Sequence, residues 1–176
     1  MGIEAQLKST PTFLSRANWR LIAYWAFTLF VAYENLSGSI WAFLHIECIR
    51  VLLTHLGYPQ YFGNILGSFQ FVCAVALLVP RFPVLKEWAY AGAFINYSAA
   101  TASHLFVGDG PGIWIFPLLC VVLNLASWGL RPPDRRTQTS TRVDETRPIA
   151  WFVPIGILVL FAVVALLTLP QAAPQF

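Results

Sequence analysis

Two stripes of polar side chains set in apolar sequence hold the chain's chemical potential. Glu34, Gly38, Trp41 and His45 recur at spacings of four, three and four, so on a continuous helix a carboxylate and an imidazole share one face with an indole between them. Tyr97, Thr101 and His104 recur at four and three and put a phenol, a hydroxyl and an imidazole in a second stripe, bordered by Asn96 and Ser103. A Glu and a His within hydrogen-bond reach in a low-dielectric site can perform general acid–base work. The expected catalytic pair is Glu34, as proton acceptor or ligand anchor, and His104. Trp41, His45, Asn96, Tyr97 and Thr101 are expected to line a pocket for a small amphipathic or quinone-like molecule, supporting a redox or isomerisation step. The competing reading is structural, since such groups also simply bond helix to helix.

Glu34 makes the functional reading worth carrying. It follows Trp19 by fifteen positions and apolar residues continue beyond it to Leu44, which puts it roughly 22 Å along a helix, inside or at the edge of hydrocarbon. A carboxylate there costs several kcal/mol unless it is paired, protonated or facing water, so it is expected to face the bundle.

The elements that must position these residues are membrane helices. Of the 176 residues 57% are hydrophobic and only 11% charged, with mean hydropathy +0.64, whereas soluble domains carry about 25% charged residues. A soluble enzyme, a disordered chain and a disulfide scaffold are excluded, and a net charge of +3 spread along the chain gives no sign of nucleic-acid binding. The three cysteines, Cys48, Cys73 and Cys120, form no C-x-x-C pair. No metal site is expected, because the outer histidines and carboxylates lack any tight ligand spacing. No cofactor can be named from the residues.

A membrane helix needs about 20 mostly apolar residues, and five stretches reach or approach that length: 19–44, 61–79, 88–107, 113–130 and 149–169. Between the first two, residues 45–56 read as a short interfacial helix. Gly57 is a plausible residue just past its end, and Pro59 follows where a helix could not continue. The expected fold is therefore an all-α membrane protein, a four-helix bundle over 19–130 plus a fifth membrane helix at 149–170. An arm (1–18), a basic linker (131–148) and a tail (171–176) complete the organisation. The first apolar run is too long for a signal-peptide core, so the first helix is expected to stay.

Every Lys and Arg except Arg50 falls on one side of this arrangement. By the positive-inside rule the N-terminus is expected in the cytoplasm and the C-terminus outside, in the cell (inner) membrane. His45, His55, His104, Glu34, Glu47 and Asp109 then gather in the outer half. Glu47 is expected to pair with Arg50, and Asp109, in Val-Gly-Asp-Gly-Pro-Gly, is explained by turn composition. Gly63 and Gly67 form a G-x-x-x-G pair that invites close helix approach. Asn64, Gln70 and Asn124 are expected to bond between helices. Glu87 is expected in the first turn of its helix, where the dipole favours a carboxylate.

The stretches Leu56-Gly57-Tyr58-Pro59, Ile65-Leu66-Gly67, Leu77-Leu78-Val79-Pro80, Lys86-Glu87-Trp88-Ala89-Tyr90-Ala91-Gly92 and Ala102-Ser103-His104 resemble the DoxX-like family. Tyr24-Trp25-Ala26-Phe27-Thr28 and Leu36-Ser37-Gly38 extend the likeness over roughly residues 20 to 130. The resemblance implies a four-helix membrane bundle. The namesake family is associated with a subunit of a thiosulfate:quinone oxidoreductase, and relatives include accessory proteins of oxidoreductases and membrane chaperones. Glu87 and His104 match the family pattern without a role attached, and the fifth helix and its linker depart from it. Beside the ligand-pocket reading stands a second one, a non-catalytic accessory or assembly subunit that docks a membrane partner or another copy through its helices.

Overall fold

Apolar length, proline and glycine together set the helices. The computed structural model describes residues 16–80, 82–135 and 149–170, which contain no strand. Four long helices, α1 (Arg16–Phe43), α3 (Tyr61–Leu78), α4 (Pro83–Phe106) and α5 (Pro111–Leu130), alternate in direction. α2 (Glu47–His55) is short, a 3-10 turn covers Pro133–Arg135, and α6 is Ile149–Leu167. The arm through residue 15, linker residues 136–148 and the tail lie outside the described residues.

The boundaries have local causes. Pro83 and Pro111 stand at helix starts, where the missing N–H has no partner to lose. α4 thus begins well before Trp88, and Glu87 falls beyond its first turn. α1 stops at Phe43. His45, with a left-handed φ of 48°, then turns the chain through 94° into α2. α2 lies across the bundle end, as an interfacial helix would.

Lipid tails are as apolar as the side chains they meet, so close packing and interhelical bonds hold such helices together rather than apolar burial alone. Gly67 shows how the packing works. A Cβ there would come within 3.1 Å of Ala42 Cβ and 3.3 Å of the Ser39 carbonyl oxygen, so its bare backbone is what lets α3 lie on α1. Val31 and Ala32 of α1, Cys73 and Leu77 of α3, Tyr90 and Tyr97 of α4, and Cys120 of α5 meet in one core. α6 leans on α1 from outside: Trp41 Nε1 donates to the Ala165 carbonyl at 3.0 Å, and Tyr33 meets Phe161 edge to face at 5.4 Å.

Among the described residues two helices, Tyr61–Leu78 and Pro111–Leu130, are long and apolar enough to cross a membrane, and α1 joins them when taken with α2 as one bent pair. α4 falls short because it carries Lys86, Glu87 and His104 together with several hydroxyls and amides.

The end of the bundle formed by the α3–α4 turn and the C-terminus of α5 is basic and tightly bonded. Lys86 is 1% exposed. Its Nζ donates to the carbonyls of Ala76 at 2.9 Å, Leu77 at 3.1 Å and also Val79. These carbonyls belong to the last turn of α3 and to Val79, which caps it, where no helical N–H remains, and Pro80 has no proton to give Ala76. A lysine from α4 therefore completes α3. Beside it, Glu87 accepts from Arg131 at 2.7 Å and from Trp128 Nε1 at 2.9 Å, and the Arg131 guanidinium lies 5.0 Å from the Tyr90 ring centre. Ser127 Oγ bonds both Tyr90 and Thr28.

Candidate functional site

A groove of about 450 Å³ opens between α3 and α4, with α1 as its floor. Phe69, Val72, Trp88 and Ile95 form its walls, Gly92 and Ala99 leave it open, and Asn35, Gln70 and Asn96 are its polar members. Counted from the α2 end at 1.5 Å per residue, the three amides lie at similar depth, about 12–15 Å in, close to the middle of a 30 Å hydrocarbon layer.

These amides are incompletely used. Asn35, 1% exposed, donates through Nδ2 to the Val31 carbonyl at 2.8 Å and to Tyr97 Oη at 2.9 Å. Its Oδ1 accepts nothing among the described residues. Gln70 lies over Gly38, where a Cβ would come within 3.0 Å of its Oε1. Neither Gln70 nor Asn96 makes a side-chain hydrogen bond among the described residues, and both are half-buried. An unpaired amide at membrane depth costs free energy unless something supplies the missing bond.

Of the catalytic and ligand-lining residues expected from sequence, Asn96 alone lines this groove, where Gln70 also stands. Tyr97 stands behind it as the partner of Asn35. Glu34 is half-buried on α1. No described side chain bonds its carboxylate. Thr101 Oγ1 donates back to the Tyr97 carbonyl at 2.9 Å. Trp41 is turned to α6 and bonded there. His45 is exposed in the bend after α1 and so leaves the stripe that a continuous helix would have given it.

His104 belongs to a different cluster, at the α2 end. Gly108, at φ 84°, closes α4 by a left-handed turn, with Gly108 N donating to Leu105 O at 3.2 Å and Asp109 N to His104 O at 3.0 Å. That turn folds Asp109 back onto the helix it follows. His104 Nδ1 bonds Asp109 Oδ2 at 2.6 Å, and His55 Nε2, from α2, bonds Oδ1 at 2.8 Å. The His104 hydrogen bond, and after it the one from His55, holds the Asp109 carboxyl below its ordinary 3.8, against an opposing effect of desolvation. One carboxylate thus ties α2 to the α4–α5 turn. The position of His55 beside Asp109 is a contact that helical spacing could not reveal, because it runs from α2 to the α4–α5 turn. Among the described residues no group of His, Cys, Asp or Glu is arranged to hold a metal ion.

The remaining sequence candidates are bonding groups or surface. Asn124 Nδ2 donates to the Tyr90 carbonyl at 3.0 Å and joins α5 to α4. Asn64 is exposed, and Glu47 pairs with Arg50 at 2.7 Å on the surface of α2.

No curated protein and no solved structure matched the chain. The model of the DoxX-like family matches residues 26–129, a span that holds the four long helices of the bundle, most of α1 included, with the groove and the histidine–aspartate cluster. With its apolar helices this makes the protein an integral membrane protein, and the chain belongs to the DoxX-like family.

Proposed function

We propose that the protein binds a small amphipathic, quinone-like molecule in the groove between α3 and α4. The observation that carries this reading is the level of three amides with spare hydrogen-bonding capacity inside otherwise apolar walls. A ligand with an apolar body and an oxygen-bearing head satisfies both: the body replaces lipid against Phe69, Val72 and Trp88, and the head meets Asn35, Gln70 and Asn96. The groove opens sideways, so such a molecule enters from the bilayer.

In this reading α1, α3, α4 and α5 cross the membrane as a bundle, α2 lies in the interface and α6 is a fifth span. The N-terminus is cytoplasmic, the C-terminus outside, and the basic end faces the cytoplasm of a cell whose inner membrane holds the protein. The proposed acid–base role of Glu34 lies outside the groove lining, while His104, engaged by Asp109, serves the α2 end rather than the groove.

Gly92 provides the test. A Cβ there meets nothing within 4 Å, so Gly92→Phe places a ring at the groove lining from a position whose Cβ is unhindered. Binding of decyl-benzoquinone to the purified protein in nanodiscs is expected to weaken at least tenfold while the protein stays monodisperse. Unchanged affinity excludes the groove as the site and favours the accessory-subunit reading.

A further inference from the structure

One amide in the lining of the groove is more selective than an amide need be. Asn35 has two N–H protons, and both are committed inside the protein, one to the Val31 carbonyl at 2.8 Å and one to Tyr97 Oη at 2.9 Å. What remains is Oδ1, a pure acceptor, on a side chain 99% buried and forming part of the groove's lining. The amide cannot turn over to offer a proton instead, because that would set Oδ1 against the Val31 carbonyl oxygen, two acceptors face to face. Gln70 and Asn96, half-buried and unbonded, can each donate or accept, so they do not discriminate.

The geometry points to a hydroxyl-headed amphiphile as the ligand class: a quinol, or a long-chain or isoprenoid alcohol, in preference to the matching carbonyl compound. A hydroxyl donates to Asn35 Oδ1 and still accepts from Gln70 or Asn96. A ketone or quinone oxygen accepts only, and it leaves Oδ1 buried without a partner, which is the costly case for a polar atom in an apolar site. This inference rests on the groove being the binding site, and it adds the protonation pattern of the head group.

The experiment compares 2-dodecanol with 2-dodecanone, which differ in the donor and undergo no redox change during the measurement. The second pair is decyl-hydroquinone and decyl-benzoquinone under anaerobic conditions. Binding to the full chain in nanodiscs is measured by calorimetry. The hydroxyl member of each pair is expected to bind about three- to tenfold more tightly, the worth of one net hydrogen bond. In Asn35→Leu the ratio falls to about one. In Tyr97→Phe, which leaves Oδ1 and its Val31 anchor in place, the ratio persists; this variant and the unaltered protein decide the matter should Asn35→Leu fail to fold. Equal binding of both members, tighter binding of the ketone, or a preference that survives Asn35→Leu overturns the inference while leaving the groove as a site. Failure of every probe to bind overturns the site itself.

Discussion

The basic end and the mid-depth groove treat buried polar groups in opposite ways. At the basic end buried groups bond one another: the carbonyls of Ala76, Leu77 and Val79 share one ammonium, Glu87 accepts from Arg131 and Trp128, and Ser127 joins two hydroxyls. In the groove, Asn35 keeps an idle acceptor and Gln70 and Asn96 bond nothing among the described residues. A satisfied network rigidifies. Idle capacity is a cost that a fold bears where something else is meant to arrive. The lesson is that burial and polarity alone do not mark a site; unmet bonding within reach of an opening does.

Breaking the satisfied end carries the largest expected effect. Lys86→Met keeps the bulk and removes three hydrogen bonds, leaving the α3 carbonyls buried without donors. Unfolding in mixed micelles is expected to show a loss of about 2–4 kcal/mol. A near-neutral result would mean that water reaches these carbonyls and that the contrast between the two regions is smaller than drawn.

Next in size, Gln70→Leu combined with Asn96→Leu should reduce decyl-hydroquinone affinity about tenfold or more, through two lost head-group contacts. Stability is expected not to fall. Loss of stability in step with affinity would show these amides to be structural, as at the basic end.

The histidine–aspartate cluster gives a pH signature. A depressed carboxyl contributes stability that is fully present above its ordinary value and is lost as pH falls through its value in the folded protein. The melting difference between the unaltered protein and Asp109→Asn should therefore be flat above about pH 5 and close under strong acid, below the ordinary carboxylate range. A gap that widens on acidification would contradict the arrangement of His55 and His104 around one carboxylate.

The smallest effect is also the sharpest test of idle capacity. Asn96→Leu alone should raise stability by about 0.5–1 kcal/mol, because it removes an unpaired amide from an apolar surface. The same change at Asn124, whose Nδ2 bonds the Tyr90 carbonyl, should lower it.

Much of the fold was legible because hydropathy and punctuation agree. Pro59, Pro80 and Pro111 bracket the apolar stretches, and Gly57 and Gly108 take the left-handed turns that end helices. The close approach of α3 to α1 could be read from Gly67, while Gly63 makes room for Leu53 of α2. The site was less legible, for two physical reasons. Helical spacing assumes that the helix continues, and α1 ends before His45 and turns by a right angle. Spacing is also blind to contacts across a turn, which is how Asp109 reaches both His104 and His55. Asn35 stood beside Glu34 and was overshadowed by its charge, although an amide at the same level as Gln70 and Asn96 in three separate apolar stretches was the usable signal.

One consequence of the Lys86 arrangement concerns biosynthesis. The bond that finishes α3 comes from the helix directly after it, and the residues lining the groove run from Asn35 to Ala99. Every part of the cleft has therefore been synthesised before α5 is translated, and the hairpin carries its own clasp. A nascent chain arrested shortly after α4 already contains all the side chains that would greet a lipid-soluble guest, while the later helices remain to be added around them.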